Sequence, residues 1–272
     1  MKTEIIKLTE KSPLSSYESA ARLILKGEVV GMPTETVYGL AGNAYDETAV
    51  KKIFEAKGRP QDNPLIVHIS QFHEIYDLVK EVPESAKRLA ERFWPGPLTI
   101  ILEKSEKVPY TVTAGLETVA VRCPEHPVAR NFIKACGVPI AAPSANLSGK
   151  PSPTTAAHVF ADLNGRIPLI IDGGESREGV ESTVLLLASK TPRLLRPGNV
   201  TLGELKSVLG EVLVDDAVLN PLKSGEKVSS PGMKYKHYSP DAEVTLIKGS
   251  YSAFLNFVNE NAGEKVCAMV FN

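Results

Sequence analysis

Apolar positions along this chain alternate between the 3.6-residue spacing of helices and short apolar runs of strand type. Ala20, Leu23 and Ile24 form one helical stripe, with Ser16 placed to cap it and Gly27 to stop it. Residues 29–32 follow as a buried strand. Asp46 is placed to cap a second helix, with Val50, Ile53 and Phe54 on one face and Gly58 just past its end. Residues 64–69 read as a strand, 72–80 and 84–93 as helices, and 98–102 as a strand. In TVAVR (118–122), Val119 and Val121 alternate with Thr118, Ala120 and Arg122. Pro127 opens a helix that ends at Gly137. PIAA (139–142), LIID (169–172) and STVLLLA (182–188) are runs of buried-strand type. Thr201 and Glu204 form a capping box before the stripe Leu202, Leu205, Val208 and Leu209. The alternation predicts a mixed α/β domain over residues 1–210.

The pattern then breaks. Residues 215–240 lack periodicity and are rich in Pro, Gly, Ser and Lys, so 211–241 is expected to be a linker. EVTLIKG (243–249), YSAFLNFVNENAG (251–263) and KVCAMVF (265–271) read as strand, helix and strand. Residues 242–272 are thus expected to begin a small parallel, Rossmann-like α/β domain, too short to bury its own core.

Composition narrows the function classes. With 43% hydrophobic and 23% charged residues the chain is ordinary for a globular protein. Its net charge of −1 excludes a global basic field for nucleic acid, so any polyanion site must be a local cluster. Cys123, Cys136 and Cys267 are odd in number and far apart, which argues against a disulfide framework or a zinc site and for a reducing compartment. The N-terminus has no apolar signal core, and no run approaches the ~20 apolar residues of a membrane span. A cytoplasmic, soluble chain without a membrane partner is expected.

The familiar catalytic signals GxxxxGK[ST], GxGxxG, HExxH and GxSxG are absent, so nucleophilic catalysis has little support. What remains is cationic and small polar residues at strand ends and turns. Lys57 shares the helical face of Val50, Ile53 and Phe54 at the helix C-terminus, where a lysine also meets the dipole. Gly58 frees the backbone and Pro60 biases Arg59 away from helix, so two cations project from a stiff turn, as an anionic ligand with several phosphates would require. His68, inside LIVHI, is either a core histidine or a ligand contact. Arg122 is either on a solvent face or in a cleft, where it would grip a carboxylate. Ser144, Asn146, Ser148 and Ser152 lie on a stiffened loop after a buried strand, a place for turns and for ligands alike. Ser182 and Thr183 enter a buried strand, where unpaired hydroxyls are costly. Arg196 precedes a proline near an edge.

PTETVYGL (33–40), KGRPQDNPL (57–65), WPGPLT (94–99), VAVRCPEHP (119–127), APSANLSG (142–149), ESTV (181–184), LLRPG (194–198) and SPGMKYKHYSP (230–240) stand in order. Together they resemble the YrdC-like threonylcarbamoyl-AMP synthase family in its two-domain form, over roughly residues 15–241. The resemblance implies a twisted mixed sheet with flanking helices around a basic cavity. It implies a nucleotidyltransferase that joins L-threonine, bicarbonate or CO2, and ATP into threonylcarbamoyl-AMP and pyrophosphate. A downstream threonylcarbamoyl transferase would then modify tRNA, which is thus an indirect partner.

On the same resemblance, Lys57, Arg59, Ser144 and Asn146 would be the catalytic set, with Lys57 and Arg59 on the phosphates. Thr118, Asn146, Ser152, Arg196 and Tyr235 would contact the nucleotide. Arg122 would hold the threonine carboxylate, and Thr34, His68, Ser144 and Ser182 its amine and hydroxyl, with Thr36 beside Thr34 on one strand face. The linker would cross the cavity mouth. Mg²⁺ would bridge the phosphates, with no dedicated carboxylate cage. A module for double-stranded RNA or tRNA, a related carbamoyl-adenylate enzyme and a regulatory ligand-binding domain are the alternatives.

Overall fold

The computed structural model describes residues 2–219, 244–263 and 267–269. It divides into two compact units, residues 1–239 and 240–272. In the first, the described strands are β1 (Glu4–Lys7), β2 (Val30–Met32), β3 (Gly39–Asn43), β4 (Ile66–His68), β5 (Leu98–Glu103), β6 (Thr118–Arg122), β7 (Ile140–Ala141), β8 (Leu169–Asp172), β9 (Thr183–Leu186), β10 (Arg193–Arg196) and β11 (Leu213–Val214). They form one mixed sheet in the order β1-β8-β2-β3-β7-β4-β6-β5-β9-β10-β11. The centre is nearly free of exposed positions: β2, β4 and most of β5 and β6 are buried on both faces. Helices on the two faces account for this.

Local chemistry explains most of the helix boundaries. The helix Glu47–Lys57 starts where the Asp46 carboxylate accepts from the Thr48 N–H, and ends at Gly58 in the left-handed region at φ 60°. Its buried face carries Val50, Ile53 and Phe54. Each such side chain contributes roughly 1.5–3 kcal/mol by leaving water, so this face fixes the helix against the sheet and with it the position of Lys57. The helix Pro127–Cys136 has proline in its first turn and Gly137 as its left-handed stop. Thr201 and Glu204 close both bonds of a capping box on Leu202–Leu209.

Four expectations are corrected. Ser16 caps no helix: Pro13 leads into a 3-10 turn, Leu14–Tyr17, and the α-helix starts at Glu18. Residues 72–77, not 72–80, are helical, and the turn is of 3-10 type. Thr34 and Thr36 do not share a strand face. They sit in the β2–β3 loop, where the Thr34 hydroxyl donates to the Val37 carbonyl at 2.6 Å and so holds a turn. Within the stretch expected to be linker, residues 213–214 pair with β10, and Asp216–Leu219 is a helical turn.

In the second unit the helix Tyr251–Glu260 forms as expected, with the Ser250 hydroxyl accepting from the Ala253 N–H. Residues 244–248 are not in a strand, and Val244 and Leu246 are exposed. A strand needs a neighbour for its N–H and C=O groups, and among the described residues of this unit none is offered.

Candidate active site

One cavity lies across the face of β4. Its walls come from the β2–β3 loop, from Arg59 and residues 64–66, from the ends of β4, β6 and β10, from the loop after β7, and from Glu181 and Ser182 before β9. Including its open mouth and the solvent there, it takes in about 590 Å³ of space between atoms. Thr34, Thr36, Arg59, His68, Arg122, Ser144, Ser182 and Arg196, all singled out from sequence, line it.

Strand register builds one end. His68 and Arg122 are direct neighbours on the parallel strands β4 and β6, so both side chains leave the sheet on one face. Both are 4% exposed, which places Arg122 in a cleft and not at solvent. Its guanidinium donates from Nη2 to Glu35 Oε1 at 2.6 Å, from Nη1 to Thr36 Oγ1 at 2.9 Å and from Nε to the Gly96 carbonyl at 3.3 Å. Burial alone would raise the Glu35 pKa, but the charge and hydrogen bond of Arg122 outweigh it and leave it below the ordinary carboxylate value. Burial, then the Arg122 charge, push the His68 pKa down to about 3. The imidazole is therefore neutral near pH 7. Its Nδ1 lies 3.2 Å from the Ile66 carbonyl, which can only accept, so Nδ1 carries the hydrogen. At the rim, Arg196 donates from Nε to the Ser182 carbonyl at 3.0 Å, and Ser182 Oγ lies 2.7 Å from Thr99 Oγ1. Gly198 makes this approach possible, since a Cβ there would stand 2.5 Å from the Thr183 nitrogen.

The other end is made by the turn after Lys57 and the loop after β7. Here the four-residue set divides. Arg59 and Ser144 face the cavity, whereas Lys57 and Asn146 do not line it. Lys57 is 2% exposed. Its ammonium donates to the Ser144 carbonyl at 2.5 Å, the Asn146 carbonyl at 2.6 Å and Asn146 Oδ1 at 3.3 Å. Burial, then repulsion from Arg59, push its pKa well below the usual value, while three acceptors match the three N–H groups of the charged form. The Asn146 side chain is also fully engaged within the loop: Nδ2 donates to the Leu147 and Lys150 carbonyls at 2.8 Å, and Oδ1 accepts from Ser144 Oγ at 2.6 Å. Lys57 and Asn146 thus shape the loop that presents Ser144.

Thr118 and Ser152 are outside the cavity wall as well. Thr118 begins β6, four residues or about 13 Å from Arg122, and Ser152 hydrogen-bonds the cavity carboxylate Glu181. Tyr235 and the expected cavity-crossing linker over residues 220–241 lie outside the described residues. Sequence reasoning passed over three groups: Glu35, Glu181 and Asn63. The Asn63 side chain is fully buried, and neither its amide oxygen nor its amide nitrogen has a hydrogen-bond partner among the described residues. An unmatched amide costs about 1–3 kcal/mol, and Asn63 is not part of the cavity wall. Among the described residues no group of three or more His, Cys, Asp or Glu could hold a metal ion. No helix among them is long and apolar enough to cross a membrane.

A mixed-sheet α/β domain whose cleft is lined by Arg59, Arg122 and Arg196 together with small hydroxyl side chains defines a class of candidate small-anion-binding domain. The family model described as "Telomere recombination" (Sua5, YciO, YrdC) matches residues 22–198, and that described as "Threonylcarbamoyl-AMP synthase, C-terminal domain" matches residues 200–272. The chain belongs to this Sua5/YciO/YrdC family. The threonylcarbamoyl-AMP synthase of Pyrococcus abyssi is 55% identical over 247 residues, covering 91% of this chain and 72% of that one. That of Bacillus subtilis is 54% identical over 242 residues, covering 89% and 69%. The crystal structure of P. abyssi Sua5 complexed with L-threonine superposes with a TM-score of 0.90 at 53% identity, covering 94% of this chain and 75% of that one.

Proposed function

We propose that this protein is a nucleotidyltransferase that makes threonylcarbamoyl-AMP from L-threonine, bicarbonate or CO2, and ATP, with release of pyrophosphate. The observation that carries the reading is one cavity with two unlike ends: a cationic turn and hydroxyl loop at one, and a strand-borne arginine beside a neutral histidine at the other. Two relatives above 50% identity bear the name of that activity.

The threonine amine adds to CO2 to give a carbamate, and the amine proton is released to water. A carbamate oxygen then attacks the α-phosphorus of ATP, the bond to the bridging oxygen of the β-phosphate breaks, and pyrophosphate leaves. No covalent enzyme intermediate is required, so the protein positions its substrates and stabilises charge. Arg122 holds the threonine carboxylate with its remaining N–H groups. His68 is a hydrogen-bond partner and not a base, because its pKa of about 3 keeps it from taking a proton at neutral pH. Thr34, Thr36 and Ser182 read the amine and hydroxyl. Arg59, Arg196 and the Ser144 hydroxyl face the phosphates. Lys57 supports that end from beneath, holding the loop and adding a buried positive charge. Thr118 and Ser152 meet the nucleoside beyond the phosphates.

Mg²⁺ would bind through the phosphates, with Glu181 the cavity carboxylate within reach, and would neutralise the charge that develops on pyrophosphate. A downstream transferase would carry the threonylcarbamoyl group to tRNA, and residues 242–272 would begin the C-terminal domain. The test is release of pyrophosphate from ATP with threonine or bicarbonate omitted in turn. Release that needs both supports the reading. Release indifferent to threonine, or salt-sensitive RNA binding without turnover, overturns it.

A further inference from the structure

The Arg122–Glu35 pair is not closed in the way a structural ion pair would be. Both side chains are 4% exposed, a setting in which both carboxylate oxygens usually engage the guanidinium fork. Here only Oε1 accepts from the guanidinium, and the buried Oε2 takes no hydrogen bond from it. A guanidinium has five N–H groups. Three are used, on Glu35, Thr36 and Gly96, and two have no partner among the described residues. Arg122 lines the cavity and Glu35 does not. The carboxylate therefore grips the arginine without closing over its fork.

We infer that Glu35 is a positioning residue for threonine binding: its single hydrogen bond to Nη2 fixes the rotation of the Arg122 guanidinium and leaves two N–H groups for the substrate carboxylate. This rests on the reading of Arg122 as the threonine-carboxylate contact. A bidentate Glu35 would occupy the fork that substrate needs. With no Glu35, the guanidinium would keep only Thr36 and Gly96, which sit on two other segments and restrain it less. The pair also leaves the threonine end close to neutral, so recognition there depends on the placement of the fork more than on field strength.

The experiment measures KM for L-threonine and for ATP by pyrophosphate release in Glu35→Ala, Glu35→Gln, Arg122→Ala and the Glu35→Ala/Arg122→Ala double variant. Glu35→Ala is expected to raise the threonine KM about 10-fold or more and to leave the ATP KM within about 2-fold, since misplaced binding groups cost at least this much. Glu35→Gln is expected within about 3-fold of the parent, because its amide oxygen accepts the same Nη2 hydrogen. In the Arg122→Ala background, Glu35→Ala is expected to add nothing, as for a residue that acts through its partner. An unchanged threonine KM in Glu35→Ala, a Glu35→Gln as impaired as Glu35→Ala, or a full further loss in the double variant would each overturn the inference. Should Glu35→Ala fail to fold, Glu35→Asp replaces it, since it withdraws the carboxylate by one methylene. A threonine-selective KM rise then supports the inference and none overturns it. Arg122→Ala alone decides the underlying assignment: equal losses for threonine and ATP sink that assignment, whereas a selective loss beside a silent Glu35→Ala sinks only the role of Glu35.

Discussion

Lys57 and Arg122 are both cations nearly removed from solvent, Arg122 in the cavity wall and Lys57 behind the Ser144 loop that lines it, and their charges are handled differently. Arg122 meets the carboxylate of Glu35. Lys57 meets three neutral oxygens of the 144–146 loop. The ion pair cancels most of its field at a distance, whereas carbonyl and amide dipoles solvate Lys57 and leave its net charge in place. The lysine end therefore remains a positive field beneath Arg59, suited to a polyphosphate. The arginine end is close to neutral, and under the proposed function it would take one carboxylate beside small polar groups. A buried cation can thus supply field or geometry, and its partner decides which.

Removing each cation in turn separates the two roles. Lys57→Ala has the largest expected effect, lowering turnover by on the order of 10²-fold, as for loss of one preorganised donor. Lys57→Arg should not restore it, because a planar fork does not meet three converging acceptors. Turnover within a few-fold of the parent in either variant would show that the buried charge is dispensable. Next comes Arg122→Ala, expected to weaken threonine more than ATP and to lower stability by about 3–5 kcal/mol, since Glu35 is left buried and unpaired. Chemical denaturation beside the KM values checks both parts. Ser144→Ala should cost less, about 10-fold in turnover, because one neutral hydroxyl at the phosphate end is lost and the loop keeps its bonds from Lys57. A loss as large as that of Lys57→Ala would mean that the hydroxyl, and not the field, carries that end.

The smallest effect sharpens the threonine end. The folded pKa of His68, about 3, is below the unfolded value near 6.5. The stability it contributes is therefore fully present above about pH 6.5 and is lost as pH falls toward 3. Threonine KM should show no histidine break between about pH 5 and 7.5. A break near 6.5 that vanishes in His68→Gln would show that the imidazole titrates in the cavity.

Caps, stripes and stops made much of the scaffold legible, because Asp46, Gly58, Pro127, Thr201 and Glu204 act on neighbours within a few residues. The alternation in TVAVR placed Arg122 on one strand face and left solvent and cleft both open. The choice was settled by β4, whose register brings His68 alongside. Glu35 gave no local signal, since its partner lies 87 positions away. Asn63 sits among Gln, Asp and Pro, where an asparagine reads as a turn residue, and only burial exposes its unmatched amide. Lys57 was placed on the buried stripe by helical spacing, but the loop its ammonium faces arrives 87–89 residues later.

The division of the cavity into a phosphate end and a threonine end is tested most directly by calorimetric binding of ATP alone and L-threonine alone to Arg59→Ala and Arg122→Ala. A crossed pattern is predicted: Arg59→Ala loses about 10-fold or more in ATP affinity and binds threonine as the parent does, and Arg122→Ala does the reverse. Parallel losses of both ligands in both variants would contradict it.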